Sequence, residues 1–134
     1  MRTYVLGTDT VETSAALCDY LDDRLDSGDT VHAVNSLWGG SRTDAETARD
    51  GEDAVDVVRS RLGSRVTVET HQFVRGNDPD EDLLAHADAV DADELVLGVR
   101  KRNPTGKIVF GSTVQSVLLA SSRPVAVVPL ETTD

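Results

Sequence analysis

Residues 76–98 read GNDPDEDLLAHADAVDADELVLG and hold a turn, a helix and a buried strand in immediate succession. The turn GNDP, 76–79, hands over to a helix whose apolar face is Leu83, Leu84, Ala87 and Val90, recurring at helical spacing. DELVLG, 93–98, is a short apolar run of the kind that forms a strand covered on both faces. A helix feeding directly into such a strand is half of a βαβ unit, so the rest of the chain is expected to supply the other halves.

It does so in both directions. Upstream, TYVLGT (3–8) reads as a first strand ending at Asp9, followed by a helix over about 12–26 with Val11, Ala15, Cys18, Leu21 and Leu25 along one side. Gly28 and Asp29 end that helix, and TVHAVNSL (30–37) is the second strand. After the loop Gly39-Gly40-Ser41, residues Ala48, Gly51, Val55, Val58 and Leu62 mark a second helix, stopped by Gly63. RVTVET (65–70) alternates as a strand should, with 71–75 extended beyond it. Downstream of Gly98 come a loop containing Pro104 and Gly106, a short helix from 113 to about 121, and a fifth strand, PVAVVP (124–129). Strands alternating with helices demand a mostly parallel sheet with helices on both faces, and right-handed crossovers leave few topologies. The expectation is one α/β domain over residues 1–134, an open five-stranded parallel sheet in the order 3-2-1-4-5. In such sheets a ligand binds beyond the carboxyl ends of the strands where the order reverses, here between Asp9 and Gly98.

Charge and composition limit the partners. The 134 residues carry 24 acids against 13 bases, a formal charge of −11, with 17 Asp and only 2 Lys. A field of that sign repels nucleic acid and anionic lipid. The pattern resembles that of proteins from salt-loving archaea, where surface carboxylates keep the chain in solution. Against so high an acidic background, a single Asp or Glu is weak evidence of catalysis. The one cysteine, Cys18, excludes an intramolecular disulfide and sits on the apolar side of a helix. The start, MRTYVLGTDT, has no positive-then-apolar pattern, and no run approaches 18 apolar residues, so a cytoplasmic protein is expected. His32, His71 and His86 share no ligand spacing, and there is no H-E-x-x-H, so the sequence offers no protein-only metal site.

The chemistry concentrates in residues 98–115, GVRKRNPTGKIVFGSTVQ. Ser112-Thr113-Val114-Gln115 has capping-box spacing, which makes Ser112 the expected cap of the last helix, and Gly111 leaves room for its amides to face a ligand. Arg100, Lys101, Arg102 and Lys107 lie within eight positions, immediately after a parallel strand. Cap, glycine, bases and strand end together describe an anion site. It is neither a P-loop, since Gly106-Lys107 is followed by Ile108, nor a dinucleotide fingerprint, since the first strand ends in G-T-D-T. No histidine base accompanies Ser112, nothing resembles a nucleophile elbow, and no catalytic residue is assigned. Trp38, beside Gly39 and Gly40, is placed either over the mouth of the cleft or against its own domain.

Gly98, two residues, Lys101, nine residues, Gly111-Ser112 and then PVAVVP is similar to the G-x2-G-x9-G-(S/T) signature of the universal stress protein family, with lysine for its second glycine. The aspartate ending strand one and residues 76–98 agree, so the resemblance covers essentially the whole chain. It implies an adenine-nucleotide α-hydrolase-like fold and a sensor or regulator that binds ATP, with Mg or Mn carried by the phosphates and without substantial turnover. The implied contacts are Asp9 and the backbone near Ser36 at the adenine and ribose end. Gly98, Gly111, Ser112 and Thr113 would hold ribose and phosphates. Lys101 either fills the cradle with its side chain or brings an ammonium to the phosphates. The alternative implied is a protein-binding module of the same fold that takes no nucleotide. The fifth strand, apolar on both faces and uncharged, is an edge that invites a second copy, and family members pair there, so a homodimer is expected.

Overall fold

The computed structural model describes residues 1–100 and 110–130. Among the described residues five strands and four α-helices alternate: β1 (Thr3–Gly7), α1 (Val11–Asp22), β2 (Thr30–Leu37), α2 (Ala45–Leu62), β3 (Thr67–Val74), α3 (Pro79–Ala89), β4 (Glu94–Arg100), α4 (Ser112–Ala120) and β5 (Val125–Leu130). The strands form one sheet in the order β3-β2-β1-β4-β5, and every neighbouring pair is parallel. The expected topology is therefore the one the chain adopts.

Alternation along each strand divides the core in two. Tyr4, Leu6, Val31, Ala33 and Val96 face α1 and α2, meeting Leu17, Cys18, Leu21, Val55, Val58 and Leu62. Val5, Val34, Leu95, Leu97 and Val99 face α3 and α4, meeting Leu83, Ala87, Val114 and Val117. Each fully buried Leu or Val contributes about 1.5–3 kcal/mol of transfer free energy, so these two layers are the main favourable term of the fold. Cys18 lies inside the first layer, where burial pushes its thiol up to about 11 and leaves it unreactive.

Local chemistry moves several boundaries from their expected places. Helix α1 ends at Asp22, four residues early, because the amides of Arg24 and Leu25 turn back to the Leu21 carbonyl. Leu25 stays buried, and the following turn is pinned by Asp29, whose carboxylate accepts from the backbone N–H of Arg2 (2.8 Å) and Asp26 (2.9 Å). Strand β3 runs unbroken through residues 71–74, registered against Val34–Leu37 of β2. Helix α3 opens with Pro79 after Asp78, whose backbone N–H donates to Glu81 Oε1 at 2.9 Å. Among the described residues, no helix is long and apolar enough to cross a membrane.

Candidate functional site

Strands β1 and β4 are neighbours whose following helices lie on opposite faces, which opens a crevice at their carboxyl ends. A cleft of about 340 Å³ occupies it, lined by residues from β1, β2, β4, α3 and α4. That volume suits a small molecule.

The floor is built from polar groups that satisfy one another. Thr8 is buried, and its hydroxyl shares a 2.7 Å hydrogen bond with Ser14, which donates to the Ala54 carbonyl at 2.6 Å. The Asn35 amide donates to the Thr8 carbonyl (3.0 Å) and accepts from Gln72 Nε2 (3.1 Å). Gly7 lets β1 pass close to its neighbours: a Cβ there would stand 2.8 Å from the Leu97 side chain and 2.9 Å from that of Leu83, and both would have to shift. Asp9 follows this strand end, exposed at the lip. Thr10, not Asp9, caps α1 by accepting from the Thr13 N–H at 3.1 Å, so the Asp9 carboxylate is not committed to the helix.

At the second lip, Ser36 lines the cleft, but its hydroxyl donates to Asp82 Oδ2 at 2.5 Å. Asp82 is completely buried and also accepts from Arg75 (2.7 Å) and Asn77 (3.0 Å). Burial pushes its carboxyl up, but the hydrogen bonds from Ser36, Asn77 and Arg75 and the Arg75 charge outweigh it, holding Asp82 below the usual carboxylate range. Ser36 thus offers a ligand its backbone, while its side chain ties β2 to α3.

Opposite, Gly98 and Arg100 of β4 and Thr113 and Val114 of α4 complete the wall. The Gly98 position is crowded by Leu130 of β5, 3.0 Å from where a Cβ would be. The expected cap at Ser112 is not formed. Gly111 is the N-cap in extended conformation, Ser112 is the first helical residue, and among the described residues no side chain caps the helix. Gln115 donates to the Phe110 carbonyl at 3.3 Å instead of reaching back to the cap. Among the described residues no side chain meets the first-turn amides of α4, the kind of helix terminus that attracts an anion. Gly111 and Ser112 are exposed at this terminus, outside the immediate lining. Lys101 lies outside the described residues, as do Arg102 and Lys107. Trp38 sits away from the lining and stacks under the Arg42 guanidinium at 4.2 Å.

Of the residues singled out in the sequence, Asp9, Ser36, Gly98 and Thr113 line this one cleft. Thr8, Asn35 and Asp82 escape that reading because hydroxyl, amide and carboxylate residues inside otherwise ordinary segments carry no spacing signal. The histidines also behave differently from expectation. His32 of β2, His71 of β3 and His86 of α3 present one ring nitrogen each within 4.8 Å of one another. Burial lowers all three below the usual imidazole range; His86, which also feels the other two rings, falls to about 4.

The profile of the Universal stress protein family matches residues 1–129. A universal stress protein of Mycolicibacterium smegmatis is 42% identical over 105 residues, 78% of each chain. Among solved structures, a universal stress protein from Archaeoglobus fulgidus superposes with a TM-score of 0.73 at 33% identity, covering 96% of this chain and 98% of that one. A universal stress protein of the same organism in complex with dAMP gives 0.67 at 28% identity over the same shares. These neighbours share the adenine-nucleotide α-hydrolase-like arrangement of sheet and helices. From its first strand to its last, the chain belongs to the universal stress protein family.

Proposed function

We propose that this protein binds an adenine nucleotide, ATP, in the cleft between β1 and β4 and acts as a cytoplasmic sensor or regulator without substantial turnover. The observation that carries the reading is the α4 terminus: amides that no described side chain caps, opening beside a cleft whose far lip carries Asp9. Phosphates would take the amides of α4, with Arg100 of β4 at hand as a cation. The ribose would meet Asp9, whose carboxylate accepts from hydroxyls, and the base would lie along the backbone near Ser36. The dAMP complex of the Archaeoglobus fulgidus relative supports an adenine nucleotide as the ligand class. Magnesium or manganese would arrive on the phosphates. Hydrolysis would need a positioned water and base, and this reading assigns Asp9 to the ribose instead. The homodimer would form through β5, the edge strand beyond β4.

Isothermal titration of ATP with magnesium, in molar KCl, tests the site. Micromolar binding is expected in the native chain. In Gly111→Val it should weaken at least tenfold, because a Cβ at Gly111 meets nothing within 4 Å and the added side chain stands where phosphate would approach. Absence of binding in the native chain, confirmed by a second method that does not depend on heat, would sink the nucleotide and favour the protein-binding module.

A further inference from the structure

His32, His71 and His86 come from three different elements and converge beside β3, the strand at the edge of the sheet opposite β5. His32 Nδ1 lies 3.1 Å from His71 Nε2 and 3.3 Å from His86 Nε2. A nitrogen at that position holds either one proton or one lone pair, so it cannot make two good hydrogen bonds to neighbours that are themselves neutral imidazoles. A single cation would use all three lone pairs at once. Tetrahedral zinc, with Zn–N of about 2.0–2.1 Å, sets its ligand nitrogens about 3.3–3.4 Å apart, close to the two separations seen here.

The surroundings fit a metal as well. The other nitrogen of His32, Nε2, lies 3.9 Å from Glu69 Oε2, beyond hydrogen-bond length but one rotamer adjustment from the carboxylate–imidazole pairing that orients a ligating ring. His32 is buried, while His71 and His86 are half-buried, which leaves an approach from solvent and room for a fourth ligand. Phe73 packs against His71 and His86, with ring centroids 5.7 and 5.6 Å away, and Arg75 lies over the Phe73 ring.

We propose that His32, His71 and His86 form a three-histidine site for a divalent transition metal of the zinc class, with its fourth position open to water or a small ligand. Three imidazoles select such ions over magnesium and calcium, which want oxygen. The site joins β2, β3 and α3 and lies on a different part of the sheet from the β1–β4 cleft, so it stands independently of nucleotide binding.

Tag-free protein titrated with zinc chloride in 10 mM magnesium and molar KCl should bind one ion per chain at micromolar or tighter affinity. His71→Gln and His86→Gln, each checked for folding by circular dichroism, should weaken this at least tenfold. Glu69→Gln should weaken it about tenfold with the three ligands intact. X-ray absorption at the zinc edge of the native complex should fit three imidazoles, a readout that needs no variant. Zinc bound in several weak sites indifferent to the histidine replacements would assign it to the acidic surface and overturn the proposal. A coordination shell without imidazole, or no binding at tens of micromolar protein, would overturn it equally.

Discussion

Asp82 and Asp29 are two of 17 aspartates, yet they are buried where most of the others are solvated. Each is stabilised as the anion: Asp82 by Ser36, Asn77 and Arg75, and Asp29 by two backbone N–H groups. Burial raises both carboxyls, but the hydrogen bonds prevail and both end below the usual range. A carboxylate whose folded pKa is depressed contributes stability that is fully present above its unfolded value of about 3.9 and is lost as pH falls through the folded value. Asp82→Asn should therefore cost about 1–3 kcal/mol at pH 7, chiefly through the charge-assisted bonds from Arg75 and Asn77. The cost should shrink when native and variant chains are compared at pH 3. Chemical denaturation at the two pH values measures it, and an undiminished difference at pH 3 would mean the anion is not what holds α3 to β2. Half of the Arg75 side chain is exposed, so it can rehydrate, which keeps the expected cost below that of a fully buried pair.

At the scale of elements, the sequence made the sheet order and helix faces legible because both rest on hydrophobic periodicity, a property of many residues at once. Helix ends were harder to place, since each depends on one hydrogen bond: Ser112 has the right spacing for a cap, but the extended residue is Gly111. The three-histidine cluster was illegible for a further reason, that its members lie on three elements, with all of α2 between His32 and His71, and come together only when β2, β3 and α3 dock. The packing of α2 gives an element-scale prediction. Gly51 sits where a Cβ would fall 1.9 Å from Asn35 Oδ1, and Asn35 in turn holds the Thr8 carbonyl beneath the cleft. Gly51→Ala gains helix propensity but forces Asn35 aside, and the second effect should win, with a net loss of about 1–3 kcal/mol in thermal or chemical unfolding. The same variant should weaken binding in the cleft, because the end of β1 loses its amide support. A Gly51→Ala chain as stable as the native one would show that Asn35 has a second, equally good rotamer.

At the scale of the whole molecule, two features oppose each other. Among the described residues, strand β5 is hydrogen-bonded on one side only, to β4, and its side chains are apolar in both directions: Ala126 and Val128 towards the α1–α2 layer, Val125 and Val127 towards the α3–α4 layer. Such an edge favours pairing with a second copy. Each copy, however, carries a formal charge of −11, and the repulsion between two of them falls only when salt shortens the screening length from about 30 Å at 0.01 M to about 3 Å at 1 M. If the homodimer we propose forms through β5, association should strengthen steeply with KCl. Light scattering should then report twice the 14.4 kDa chain mass in molar salt and a growing monomer fraction as salt is withdrawn. Val127→Lys places a charge on the strand and should leave the chain monomeric in molar KCl, at a stability cost visible as a lower Tm because Val127 is half-buried. A native chain that stays at monomer mass in both salts would remove β5 as an interface. A dimer that survives Val127→Lys unchanged would move the interface to another surface.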